Sequence, residues 1–193
     1  MISMPGIKKL DFKRRRQALT NYRKRFAIAK GEFTRIVTRR TSRRIIGQAI
    51  KYSDKGDIVL ASTTSDELKK LGWPSRSNRP TAYLTGLLLA RKIKEKQLGS
   101  GEFVLDIGLS SPVKDSIPFV FAKGCMDGGL KMRGSIDIKE DIYSYSNIEY
   151  AKSLKEKDEK AYEKQYSGYL KSKISVESLN ALFKETKAKI VVK

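Results

Sequence analysis

A chain of 193 residues suits one domain with extensions, and its formal net charge of +20 with 39% apolar residues points to a soluble core with a polyanionic partner. Histidine is absent, which removes the commonest general base and metal ligand and with it Ser-His-Asp, Cys-His and most zinc sites. The one cysteine, Cys125, cannot pair within the chain and reads as a small buried hydrophobe in a reducing compartment.

The charge is packed at one end. Of the 41 Lys and Arg, 15 fall in the first 44 residues, where the only acids are Asp11 and Glu32. Solubility alone would spread like charges apart, so this concentration favours a dense polyanion, nucleic acid first. The basic N-terminus has no apolar run behind it, and the longest apolar stretch, around Leu87 to Ala90, is far short of the ~20 residues a bilayer requires. The expectation is a cytoplasmic protein without membrane attachment.

In chain order, residues 1–19 read as a basic arm carrying Lys8, Lys9, Lys13, Arg14, Arg15 and Arg16. Too few apolar groups accompany them to offset the entropy of ordering. A short helix follows, with Thr20 as N-cap, Tyr22, Phe26 and Ala29 on one face and Gly31 as its stop. Runs rich in Ile, Val and Thr at 33–39, 44–52 and 57–63, the last two joined by Ser53-Asp54-Lys55-Gly56, predict a three-stranded antiparallel meander. Thr64 with Glu67 three residues on is a capping box that opens a short helix ending at Gly72. After a Ser-, Pro- and Arg-rich loop, Pro80 starts a long helix, buried from Ala82 to Ala90 and basic from Arg91 to Lys96. Residues 102–108 predict a fourth strand, too uniformly apolar for an exposed edge. Residues 117–130 predict a helix, and 147–193 a charge-mixed helical extension. The chain thus divides into an arm with a short helix (1–31), an α/β core (32–146) and the extension (147–193). Its fold class is a mixed β-sheet covered by helices.

Two basic constellations stand out. The first joins Lys13, Arg14, Arg15 and Arg16 to Tyr22, Arg23, Lys24 and Arg25. Guanidinium forks bond phosphate oxygens in pairs, and a tyrosine ring stacks on bases. The second is Arg35, Arg39, Arg40, Arg43 and Arg44 on the first strand and its turn. Strand alternation there puts Phe33, Arg35, Val37 and Arg39 on one face as an RNA platform. The loop Ser75-Arg76-Ser77-Asn78-Arg79 offers further phosphate contacts.

Other patterns carry less. Asp57, Asp106 and Asp127 are the carboxylates a two-metal nuclease would use, but nothing in their spacing brings them together. Gly124, Gly128 and Gly129 match neither a phosphate loop nor a dinucleotide fingerprint, and read as close helix packing or a left-handed helix end. Tyr162, Tyr166 and Tyr169 lie at helical spacing and read as a packed face. No metal, cofactor or catalytic residue is expected. The alternatives are an RNA-processing enzyme with an RNase-H-like fold, or a generic nucleic-acid binder such as a DNA-binding regulator, for which no helix-turn-helix spacing or heptad seam is present.

Five strings in order resemble one family. They are FKRRRQALTNY from Phe12, RRIIGQAI from Arg43, AYLTGLLLARK from Ala82, LDIG from Leu105 and FAKGCMDGGL from Phe121. Together they resemble the archaeal and eukaryotic form of the 5S rRNA-binding protein of the large ribosomal subunit, the L-eighteen family, from about Phe12 to Ala151. The resemblance implies a three-layer α/β core. It also implies a seat in the central protuberance, holding 5S rRNA against large-subunit rRNA beside neighbouring ribosomal proteins. Carried over by motif, it implicates Lys13, Arg14, Arg15, Arg16, Tyr22, Arg23, Arg25, Arg39, Arg43 and Arg44 in RNA contact, and more loosely Asn78 and Arg79.

Overall fold

The computed structural model describes residues 10–11, 13–31, 33–144, 148–172 and 174–191. The expectations for residues 1–9 and Phe12 of the arm therefore lie outside the described residues.

The β-branched runs form the expected meander. Strands β1 (Thr34–Arg40), β2 (Ile45–Lys51) and β3 (Ile58–Thr64) pair antiparallel in sequence order. Between β2 and β3 the turn closes through Gly56, whose φ of 132° suits a residue without a Cβ. Strand β4 (Phe103–Asp106) then adds parallel to β1, giving the order β3-β2-β1-β4 and a mixed sheet.

Strand β4 lies at the edge of the sheet but, as its apolar character predicts, none of its residues is exposed. Its apolar character is explained by what covers it. The Phe103 N–H donates to the Lys131 carbonyl at 2.9 Å, and the Phe103 carbonyl accepts from Arg133 N–H at 2.7 Å. The segment after the next helix thus closes over the start of the edge, at Phe103, as a single bridge.

Thr64 opens its helix as the capping box predicts, the Glu67 carboxylate accepting from the Thr64 N–H at 3.1 Å. The element, Ser65–Leu71, is a 3₁₀-helix and ends at Gly72 with φ 90°. The long helix α3 (Arg79–Glu95) follows, capped by Asn78, with Pro80 in its first turn and every residue from Pro80 to Ala90 buried. It packs with α4 (Ile117–Asp127) on one face of the sheet. Small residues let the two helices cross backbone against backbone: a Cβ on Gly86 would overlap the Phe121 carbonyl, and one on Gly124 the Tyr83 carbonyl. Phe121 in turn covers Gly47 of β2. The other face of the sheet carries α2 (Tyr22–Lys30), preceded by a single exposed turn, α1 (Lys13–Arg16). A helix layer on each side of a mixed sheet is the three-layer α/β sandwich.

In α2 the expected cap and face are both corrected. The cap is Asn21, whose side chain accepts from the Lys24 N–H at 3.0 Å, while Thr20 Oγ1 accepts instead from Arg14 Nε at 2.9 Å. Asn21 wins because its carbonyl reaches the N3 amide without strain, and asparagine is the stronger cap. No residue of α2 is buried, and Phe26 is 70% exposed. The apolar spacing of Tyr22, Phe26 and Ala29 exists without a surface to meet it.

Beyond α4, a short α5 (Glu140–Tyr143) brings Tyr143 flat against Tyr83, ring centroids 4.2 Å apart. The C-terminal segment is helical as expected: α6 (Ile148–Lys157), α7 (Glu159–Lys171) and α8 (Leu179–Val191). Phe183 and Ile190 of α8 enter the main core, Phe183 meeting Trp73 edge-on at 5.9 Å. Helices α6 and α7, with Ile174, Val176 and Leu179 beyond them, make a second, smaller cluster in which Tyr162, Tyr166 and Tyr169 form the packed face their spacing predicts. Among the described residues, no helix is long and apolar enough to cross a membrane.

Candidate nucleic-acid interface

Arg14, Arg15 and Arg16 project from α1 with no buried contact, and Lys13 beside them is equally exposed. The nearest acid is Asp11, 3.6 Å from Arg15 on open surface. An exposed pair of that kind holds little energy and leaves the guanidinium available. On α2, Tyr22, Arg23 and Lys24 are exposed, and the first turn carries no acid. The absence of buried residues that makes α2 a poor core helix makes it a good presenter of cations.

Between α2 and the sheet lies an open cleft of about 430 Å³, lined by Arg14, Lys24, Arg25, Arg39 and Arg40. Its floor holds an ion cluster that was not legible in the spacing. Arg35, with a side chain only 8% exposed, donates to Asp57 Oδ2 at 2.7 Å and to Asp106 Oδ2 at 3.0 Å. Arg25 of α2 reaches the same Asp57 oxygen at 2.6 Å. Asp106 also accepts from the Gly108 N–H at 2.9 Å and so holds the turn after β4.

Two readings from the sequence change here. Asp57 and Asp106 do come together, around Arg35, with Arg25 answering the charge of Asp57. Asp127 stands apart, accepting from the Tyr83 hydroxyl at 2.8 Å and pairing with Lys123 at 3.0 Å. Among the described residues, no group of three or more Cys, Asp or Glu is placed to hold a metal ion. Arg35, expected on an open RNA platform, is committed inward. The alternation of β1 is as expected, but that face is roofed by α2 over Arg35 and opens only toward Arg39 and Arg40, which are exposed.

The β1–β2 turn continues the basic surface. Thr41 Oγ1 accepts from the Arg44 N–H at 3.0 Å and donates to the Arg44 carbonyl at 2.9 Å, so the turn projects Arg43 and Arg44 outward. Ser77 ties the turn to the loop before α3: its hydroxyl donates to the Thr41 carbonyl at 2.7 Å and accepts from Arg40 Nε at 3.2 Å. Asn78 spends its carbonyl oxygen on the Thr81 N–H at 3.1 Å and its amide on the Tyr169 hydroxyl at 3.2 Å. Asn78 therefore serves the fold first, whereas Arg79 beside it is exposed.

The structure thus brings Lys13, Arg14, Arg15, Arg16, Tyr22 and Arg23 onto one exposed arm. Arg39, Arg43 and Arg44 lie on the adjoining strand and turn, Arg25 is held in the ion cluster, and Asn78 in the cap. Lys24 and Arg40, which belong to the two basic constellations of the sequence but not to the set implied by the family resemblance, line the same cleft and complete its cationic wall.

Residues 8–100 match the family model of ribosomal large subunit proteins, 60S L5 and 50S L18. The matched span takes in the arm, the meander, the loop before α3 and all of α3, and it stops before β4 and α4.

Proposed function

We propose that this chain, whose residues 8–100 match the family model of the ribosomal large subunit proteins 60S L5 and 50S L18, is a member of that family and a non-enzymatic structural constituent that binds 5S rRNA. In this reading it anchors 5S rRNA to the large-subunit rRNA in the central protuberance of the cytoplasmic ribosome, beside other large-subunit proteins. The observation that carries it is the set of exposed basic residues on α1, α2, the end of β1 and the β1–β2 turn, of which Arg14, Lys24, Arg39 and Arg40 line one open cleft.

That surface suits RNA backbone. Its arginines are set at several heights around a groove, so they follow a path of phosphates better than they would grip one small anion. Exposed Tyr22 supplies a stacking face for an unpaired base, the form in which RNA sequence is most readily read. The contacts proposed are Lys13, Arg14, Arg15, Arg16, Tyr22, Arg23, Arg25, Arg39, Arg43, Arg44 and Arg79, with Asn78 setting the loop that presents Arg79. Arg25 contacts RNA in this scheme by sharing its guanidinium between phosphate and Asp57.

The test is binding of the purified chain to 5S rRNA, with tRNA and duplex DNA of similar length as competitors, at two salt concentrations. Binding that survives excess tRNA at the higher salt is the expected result. Equal loss to every competitor would reduce the protein to a general polyanion binder.

A further inference from the structure

A second basin lies on the far side of the Ser77 tie, with a volume of about 490 Å³. Arg43 and Arg44 enter it from the β1–β2 turn, Asp66 and Lys69 from the 3₁₀-helix, and Ser75 and Arg76 from the loop before α3. Asp66 is the one acid against four cations, and it is answered by Lys69 at 2.7 Å and Arg44 at 3.6 Å. The excess of positive charge favours an entering anion. The Ser75 hydroxyl oxygen at the basin wall is buried and has no hydrogen-bond partner, a cost that a phosphate oxygen removes once a small turn of this side chain brings it into the basin.

Arg76 is held in place by the C-terminal helices. Its guanidinium lies over the Tyr169 ring, 5.3 Å from the centroid. It also occupies the space a side chain at position 168 would need: the three atoms nearest to a Cβ on Gly168 all belong to the Arg76 guanidinium. Gly168 sits inside α7, where glycine weakens a helix and alanine would be the better residue. Helix α7 thus keeps a helix-weakening residue where a larger one would evict Arg76.

We infer that this basin, with Arg76 set in it by Gly168 and Tyr169 of α7, is a second RNA phosphate-binding site through which the C-terminal helices strengthen RNA binding. The inference rests on the RNA-binding reading above but not on the identity of the RNA, because phosphate contacts carry no sequence information.

The experiment compares wild type, Arg76→Ala, Gly168→Ala and the double variant. Each is titrated with 5S rRNA and with an unrelated RNA hairpin over a salt series. Circular dichroism and thermal melting check the fold, and Gly168→Ala is expected to melt no lower than wild type. Arg76→Ala and Gly168→Ala should each weaken binding to both RNAs roughly tenfold. Each should also flatten the slope of log K against log salt by about 0.7–0.9, the loss of one phosphate. In the Arg76→Ala background, Gly168→Ala should change nothing, since the group it displaces is gone. Wild-type affinity in Gly168→Ala, tighter binding in it, or equal losses from Gly168→Ala with and without Arg76 would each overturn the inference. Failure to prefer 5S rRNA, with these differences intact, would count against the function proposed above and leave the basin standing.

Discussion

At the scale of the residue, Arg35 shows how a charged side chain on a strand comes to serve the fold. With its guanidinium almost fully covered, it needs both Asp57 and Asp106 to answer its charge and hydrogen-bonding capacity. Removing one carboxylate leaves a buried cation half-satisfied. Asp106→Ala should therefore destabilise the protein, toward the lower end of the ~3–5 kcal/mol that breaking a buried pair costs, because Asp106 keeps some contact with water. Urea denaturation gives that number directly. RNA affinity, measured where the variant is folded, should stay within a few-fold of wild type. Cys125 gives a second prediction at this scale. Complete burial against α3 pushes its thiol well above the ordinary value of 9.0. In the native protein it should resist a thiol-specific colorimetric reagent and react only on unfolding. The sign of the pH effect follows. Above pH 9 the unfolded chain releases the Cys125 proton while the native state retains it, so stability is full below that pH and falls as pH rises. The fall from this group alone is about 1.4 kcal/mol per pH unit. Replacing Cys125 by Ala should remove that part of the alkaline slope.

At the scale of the element, the crossing of α3 and α4 depends on having no side chain at two points. Gly86 faces the Phe121 carbonyl and Gly124 the Tyr83 carbonyl, and in each case the obstacle is backbone, which cannot swing aside. Gly86→Ala improves helix propensity by up to ~1 kcal/mol yet should destabilise overall by about 1–3 kcal/mol, the usual range for overpacking. A lowered midpoint in a thermal melt checks it, and a raised one would show that the helices slide apart at no cost. These two elements were legible in the sequence because each is long, apolar and bounded by Pro, Gly or Asn. Helix α2 was legible as a helix but not as a surface. Its Tyr22 and Phe26 spacing says which residues share a face, and says nothing about whether another element covers that face. Strand β4 was legible as sheltered but not as an edge, since the cover at Phe103 comes from residues 131–133, far along the chain. The ion cluster shows the same limit on local reading. Arg35 lies 22 residues from Asp57 and 71 from Asp106, and only the sheet order brings the three together. Most of the basic site was legible because its residues are consecutive or alternate within one hairpin, so chain proximity and spatial proximity coincide.

At the scale of the whole molecule, the charge that is uneven in sequence is also uneven in space, and this decides how binding should respond to salt. The arm brings Lys8, Lys9, Lys13, Arg14, Arg15 and Arg16, while α2, β1 and its turn hold a second share fixed to the sheet. If about 8 phosphates are neutralised in all, log K should fall with log salt at a slope near −6, from ~0.7–0.9 per phosphate. A chain lacking residues 1–19 keeps the meander, the cleft floor and the hydrophobic core intact, so it should fold with an unchanged melting midpoint. Its slope should drop by about 3, toward the share held by the sheet surface, and its affinity should fall most at low salt, where released counterions contribute most. The two shares differ in kind. The arm acts through charge, whereas the turn at Arg43 and Arg44, locked by Thr41 and Ser77, also presents fixed geometry. Preference for 5S rRNA over tRNA should therefore survive loss of the arm better than affinity does. An unchanged salt slope in the truncated chain would refute the arm's role, and loss of all preference together with affinity would show that the sheet surface reads nothing by itself.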